Sequence, residues 1–245
     1  MIFDSLVEDY QKKGFCIAHQ LFSDNEIISL DRLVTDFIDR YSSKMDGRDI
    51  NYINEEINSI HCVHKFPDSA LFRTFVNHSK VLELGEALLG DDPEIRASEL
   101  FLKPAYSGLP SPLHQDNFYW CVKGDNALTI WIALDESGPD NGGVQYIEGS
   151  HNWGLVNHVN SYAPGSSQKV EESEKVNKGK RVCPQVNPGD ALIHHSLTIH
   201  GSSANASPKS RRGLTIQLKG KSSEYDLERK ADYERKLQSQ VDARK

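Results

Sequence analysis

Two hydrophobic textures divide the chain. In the first third, apolar positions recur at helical spacing. Ser23-Asp24-Asn25-Glu26 has the S-x-x-E form of a capping box, and the positions after it, Ile27, Ile28, Leu30, Leu33, Val34, Phe37, Ile38 and Tyr41, fall on one helical stripe. A second helix is predicted from Ser79 to Leu89 with Gly90 as its stop, and a shorter one between Asp68 and Asn77. From about Arg96 the pattern changes to short β-rich runs: Glu99–Lys103, Ala127–Leu134, Gly143–Ile147, Ala191–His195 and Leu214–Leu218. Turn clusters punctuate them, notably Gly138-Pro139-Asp140-Asn141-Gly142-Gly143 and Asn187-Pro188-Gly189-Asp190. Regular short strands with Gly and Pro between them predict an all-β sandwich or barrel, here a jelly roll with helices flanking it. Ser161 to Lys180 is polar and is expected to be a long mobile loop of the kind that serves as a lid. Residues 221–245 carry dense charge of both signs and few apolar residues, so a solvated helix or frayed tail is expected there.

Composition narrows the class. The chain has 245 residues, 38% of them hydrophobic, enough for one sizeable core. A formal net charge of -7 disfavours nucleic acid as the principal partner. There is no apolar run long enough to span a bilayer, and the start, MIFDSLVEDYQKKG, lacks a secretory pattern. Cys16, Cys62, Cys121 and Cys183 are widely separated with no C-x2-C pair, which argues against a zinc site or a disulfide framework and points to free thiols in a reducing, cytoplasmic setting.

The chemistry concentrates in His114-Gln115-Asp116, with His200 far downstream and Arg211 after it. Two imidazoles and a carboxylate can cap one face of an octahedral metal and leave three adjacent positions open, the arrangement of non-haem Fe(II) oxygen chemistry. An H-x-D triplet alone is a weak signal; its context strengthens it. His114 and Asp116 are two apart on an extended segment and share a face, and His200 closes a later strand, so a jelly roll can bring the three together. His194 and His195 lie within an apolar strand, where packing or support of a ligand is the expected role. Arg211 and Arg212 are adjacent, so on a strand only one lines the interior, and a guanidinium buried there needs an anion.

These segments resemble the phytanoyl-CoA dioxygenase family of Fe(II)/2-oxoglutarate oxygenases. The likeness runs over nearly the whole chain and is sharpest from Lys103 to Leu218. It is carried by Lys103-Pro104 through Pro112-Leu113-His114-Gln115-Asp116, by Trp131-Ile132-Ala133-Leu134-Asp135 with Asn141 to His151, by Gly189-Asp190 leading to His200-Gly201-Ser202, and by the offsets of Asn205 and Arg211. The resemblance implies a mainly β, double-stranded β-helix (cupin-like jelly-roll) core in a single dioxygenase domain over residues 1–220, followed by the charged tail 221–245. It implies Fe(II) held by His114, Asp116 and His200, with O2 and 2-oxoglutarate as co-substrates and Arg211, rather than Arg212, on the distal carboxylate. Trp131 falls in the co-substrate pocket or is a core aromatic. Ser202 assists there, and Lys103 either assists an anion or stands exposed at a strand end. Halogenating relatives replace the carboxylate by a small residue; Asp116 therefore favours hydroxylation of a small organic substrate, releasing succinate and CO2. The alternatives are a cupin-type metalloenzyme that does not use 2-oxoglutarate and a non-catalytic jelly-roll binding protein. Phe118, Tyr119, Trp120 and Tyr162 are candidate substrate contacts.

Overall fold

A computed structural model describes residues 3–163 and 166–242, with the side chains at 162, 166 and 239–242 outside the description. The strands are β1 (Phe15–Ala18), β2 (Ile50–Ile53), β3 (Glu56–Ile60), β4 (Pro93–Lys103), β5 (Ser111–His114), β6 (Ala127–Ala133), β7 (Val144–Ile147), β8 (His158–Ala163), β9 (Ser166–Val170), β10 (Arg181–Val182), β11 (Ala191–His195), β12 (His200–Ser202) and β13 (Arg211–Gly220). The α-helices are α1 (Asp4–Lys13), α2 (Asp24–Tyr41), α3 (Ser79–Leu89), α4 (Asp116–Trp120), α5 (Glu174–Lys178) and α6 (Leu227–Asp242).

Seven strands form one antiparallel sheet in the order β1-β11-β6-β13-β4-β3-β2, and four form a facing sheet in the order β10-β7-β12-β5. This is a jelly roll. Alternation along the large sheet explains its two environments. Leu100 and Leu102 of β4, Leu128, Ile130 and Ile132 of β6, Ile193 of β11, and Leu214, Ile216 and Leu218 of β13 form one cluster with Ile27, Leu30, Val34 and Phe37 of α2 and Val81, Leu84 and Leu89 of α3. The opposite face of the same strands meets the small sheet, where Phe15, Trp131, Ala133, Val144, Tyr146, Val186 and Leu192 pack together. The core thus lies behind the large sheet, and the space between the sheets is left for a site.

The capping box of α2 is formed: the Ser23 amide donates to Glu26 Oε2 at 2.7 Å, and the Glu26 amide to Ser23 Oγ at 3.4 Å. Gly90 ends α3 in the left-handed conformation, φ 63°. The segment expected to be a short helix between Asp68 and Asn77 is a wide π turn, Phe72–Val76.

Three expectations need correction. The first third is not only helical: β1 pairs with β11, and a β2–β3 hairpin extends the large sheet beyond β4. Ser161 to Lys180 is not an irregular loop: β8 and β9 pair as a hairpin and α5 follows. Its strands are polar because their ladder uses backbone groups and side-chain amides, such as Gln168 Nε2 donating to Asn160 Oδ1 at 3.0 Å. The charged segment after Gly220 is a helix that is more than solvated. Arg229 of α6 donates to the Asn117 carbonyl at 2.9 Å, and Tyr233 packs edge-on against Phe118 and Tyr119 at 6.2 and 5.6 Å. All four cysteines are free. Among the described residues no helix is long and apolar enough to cross a membrane.

Candidate metal and anion centre

A cavity of about 670 Å³ opens between the sheets. At its inner end, β5 and β12 run antiparallel with His114 directly opposite His200. A cross-strand pair brings side chains close, and the two imidazole centroids are 4.2 Å apart. Asp116 does not continue the extended segment: it is two residues past the end of β5 and the first residue of α4. Its Oδ1 lies 3.7 Å from Nε2 of His114 and 3.7 Å from Nε2 of His200. Donor atoms of all three residues lie within 4.8 Å of one another.

Hydrogen bonds fix which atoms face inward. His114 Nδ1 is 2.8 Å from the Pro112 carbonyl, and His200 Nδ1 is 3.0 Å from that of Thr198. A carbonyl only accepts, so each Nδ1 carries the proton and each Nε2 presents a lone pair to the centre. Asp116 Oδ2 accepts from Thr129 Oγ1 at 2.7 Å and from His194 Nε2 at 3.2 Å, which turns Oδ1 toward the imidazoles. His194 Nδ1 in turn faces the Tyr146 hydroxyl at 3.2 Å. Burial, reinforced by the neighbouring imidazole, pushes both His114 and His200 down to about 4, so both are neutral ligands at physiological pH. Burial alone would raise Asp116, but His200, His194 and His114 outweigh it and hold the carboxyl below the usual range. This donor set, with its proton-bearing atoms already satisfied, fits a divalent cation.

Beside this triad lies a basic pole. Lys103 and Arg211 are partners across β4 and β13. Arg211 is buried, 2% exposed, and donates through Nε and Nη2 to the Gly142 carbonyl at 3.0 and 2.5 Å. That carbonyl belongs to the Pro-Asp-Asn-Gly-Gly turn, where Gly142 takes φ 74° and a Cβ would meet the Ser203 carbonyl at 2.6 Å, so glycine is required. The Trp131 ring lies 5.3 Å from the Arg211 guanidinium. No carboxylate lies within ion-pairing distance of Arg211 among the described residues. Arg212 points the other way and is fully partnered: Nε and Nη2 bind Asp135 at 2.9 and 2.8 Å, and Nη1 binds Asp31 of α2 at 2.6 Å. Lys103 is buried rather than exposed at a strand end, with Nζ donating to Ser202 Oγ at 2.7 Å and to the Ser203 carbonyl at 2.5 Å. Burial and the charge of Arg211 push it down to about 6.

Tyr119 and Trp120 line the cavity; Phe118 instead stacks on His158 at 4.1 Å. The Tyr162 side chain lies outside the described residues. His151 is away from the cavity, against the Gln11 carbonyl at 3.0 Å. Sequence reasoning missed Thr129, whose signal was a lone hydroxyl on an apolar strand two residues before Trp131. It also missed His61, Glu99, Arg96 and Tyr233, all of which line the cavity.

Fold and site together define a jelly roll with a two-histidine, one-carboxylate centre beside a buried cationic pole. A family model, phytanoyl-CoA dioxygenase, matches residues 10–213, and the chain belongs to that family. A stretch of 148 residues is 30% identical to a probable alpha-ketoglutarate-dependent hypophosphite dioxygenase of Stutzerimonas stutzeri, covering 58% of this chain and 51% of that protein. The chain thus spans about half the length of this relative. The crystal structure of EctD from S. alaskensis, with 2-oxoglutarate and 5-hydroxyectoine, superposes with a TM-score of 0.75 at 22% identity over 91% of this chain and 78% of that one. The epimerase SnoN, with Fe3+, alpha ketoglutarate and nogalamycin RO, does so with a TM-score of 0.74 at 18% identity over 91% and 86%. At these identities the two structures speak for the fold.

Proposed function

We propose that this protein is an Fe(II)- and 2-oxoglutarate-dependent oxygenase that hydroxylates a C–H bond of a small organic substrate and releases succinate and CO2. The observation that carries the reading is the pairing of two features in one cavity: three converging donors, and a buried Arg211 with no carboxylate partner among the described residues. A metal site alone fits many enzymes. A metal site next to an uncompensated buried guanidinium fits a chelating dicarboxylate.

His114, Asp116 and His200 hold the metal. Bound Fe(II) supplies the O2 activation that couples oxidative decarboxylation of 2-oxoglutarate to oxygen insertion. Arg211 pairs with the distal carboxylate of the co-substrate and fixes its orientation. Trp131 walls that carboxylate on one side, and Lys103 with Ser202 offers further donors. Thr129 and His194 keep Asp116 oriented, and the aromatic lining of Phe101, Tyr119 and Trp120 limits water around the reacting end. Because Asp116 is present, a halide has no vacated ligand position, and hydroxylation is favoured over halogenation. A cupin-type enzyme that does not use 2-oxoglutarate, or a non-catalytic binding protein, would keep Arg211 only as a support of the Gly142 turn and leave its buried charge without a counter-ion.

The deciding experiment is anaerobic titration of the Fe(II)-loaded protein with 2-oxoglutarate, followed through the weak visible charge-transfer band of the chelate, with Arg211→Ala alongside. A band that requires both components and weakens in the variant supports the reading. Iron bound without a band refutes it.

A further inference from the structure

The cavity contains a second guanidinium, Arg96, and a distortion of the backbone puts it there. Along β4, Glu99, Phe101 and Lys103 line the cavity while Leu100 and Leu102 enter the core behind the sheet. Strict alternation would send Arg96 toward that apolar core. The register against β13 slips at this point: Ala97 faces Gln217 and Ile95 faces Leu218, leaving Arg96 as the extra residue of a β-bulge. Beyond the bulge Ile95 packs on the core and Arg96 turns into the cavity.

Arg96 is held in place but not neutralised. Its guanidinium lies over the Trp120 ring at 4.8 Å, and Nη1 donates to Gln217 Oε1. Nε is buried with no hydrogen-bond partner, and no carboxylate reaches the group within ion-pairing distance among the described residues. Glu99, in the same cavity wall, is engaged by His61 Nδ1 at 3.3 Å, and Arg48 of the lining pairs with Asp46 at 3.0 Å. Nη2 has no hydrogen-bond partner among the described residues, so the guanidinium keeps a donor for an anion in the cavity.

The charge balance points the same way. This step rests on the function proposed above. With metal and co-substrate in place, the divalent cation and Arg211 are offset by Asp116 and the dianionic 2-oxoglutarate. Lys103 is already engaged, donating to Ser202 Oγ and the Ser203 carbonyl beside Arg211. Arg96 in the same cavity has no ion-pair partner among the described residues.

We propose that Arg96 is the specificity-determining residue of this enzyme, and that its substrate is a small monocarboxylate whose carboxyl group docks on the free Nη2 of the Arg96 guanidinium in the cavity. The carboxylate then serves as the handle, and the C–H presented to the metal lies at the far end of the molecule.

The test uses the full chain loaded with Mn(II), which binds such sites without turnover. Thermal shifts are recorded for a panel of small monocarboxylic acids and their primary amides on matched skeletons, for example proline with prolinamide and 3-phenylpropionate with 3-phenylpropionamide. Each pair is run with and without saturating 2-oxoglutarate. At least one acid is expected to stabilise the 2-oxoglutarate complex where its amide does not. Arg96→Gln should weaken that acid about 10- to 100-fold, the cost of removing a charge-assisted pair. Arg96→Lys should restore part of the affinity by keeping the charge without the fork. The shift given by 2-oxoglutarate itself should persist in both variants, which also shows that they fold. If no acid is preferred over its amide, or if the preference survives Arg96→Gln, the proposal is overturned. If 2-oxoglutarate gives no shift in the wild-type protein, the functional reading fails instead, and the acid–amide comparison without it still reads Arg96.

Discussion

Thr129→Val isolates the support of the metal carboxylate from the ligands themselves. Valine matches threonine in shape, so the substitution opens no cavity in the buried β6 strand. It removes one donor from Asp116 Oδ2, the 2.7 Å bond from Thr129 Oγ1, and leaves the longer 3.2 Å bond from His194 Nε2. A hydrogen bond to a charged group contributes about 1.5–3 kcal/mol. The metal-free protein should therefore lose about 2 kcal/mol, a fall in Tm of roughly 4–8 °C for a chain of this size. The freed carboxylate also loses its preset orientation, and outer supports of this kind are worth about 10–100-fold in metal affinity. Calorimetric titration with Mn(II) measures the second effect and thermal unfolding the first. Thr129→Ser keeps the hydroxyl and should recover most of both. Should Thr129→Val bind Mn(II) within about twofold of the wild-type protein, Thr129 is a packing residue and the derived orientation of Asp116 is wrong.

Three further outcomes follow from the geometry. Arg212→Ala breaks the bond to Asp31 that ties β13 to α2 and those to Asp135 just past β6, and should cost about 1–2 kcal/mol of stability while 2-oxoglutarate still binds; loss of binding would show that the two arginines are not divided between the faces. Burial pushes His158 and His195 down to about 4, as it does His114 and His200, so the folded metal-free protein keeps them neutral while the unfolded chain takes up protons below about 6.5. Stability is thus complete above about 6.5 and falls as pH drops toward 4, with Asp116 acting only below that window; a flat denaturation midpoint across this range would contradict the burial of these rings. Tyr233→Ala removes the side chain that joins α6 to Phe118, Tyr119 and, through its hydroxyl at 3.2 Å, Ser167 of β9, and should raise the KM of the organic substrate several-fold with that of 2-oxoglutarate unchanged; steady-state kinetics decides it.

Much of this was legible in the sequence wherever local chemistry and tertiary structure agree. The α2 stripe and its capping box describe a helix whose buried face is the one the sheet needs. The alternation in β6, β11 and β13 describes strands with one face on the helices, and the adjacency of Arg211 and Arg212 shows that they must part company. The β2–β3 hairpin was hidden because its strands are short and its turn, Asn54-Glu55, holds both residues at positive φ, 47° and 68°, without the glycine that usually marks such a turn. The β8–β9 hairpin was hidden because no apolar face gives it a period. Helix α6 reads as solvated because few of its residues, Tyr233 and Leu237 among them, touch the cavity.

Arg96 shows where such reading stops in principle. Period-two alternation assigns a side chain to a face only while the ladder stays in register, and one inserted residue reverses the assignment for everything before it. Nothing in Pro93-Glu94-Ile95-Arg96-Ala97 announces the slip; it is visible only once Gln217 and Leu218 are seen opposite Ala97 and Ile95. A guanidinium facing the α3 core would have to be buried among leucines without a partner, a cost of several kcal/mol that the bulge avoids. Avoiding that cost would require only a different residue at this position. Keeping both the arginine and the bulge, with Trp120 beneath and Gln217 beside it, holds the charge in the wall of the cavity, where an anion can meet it.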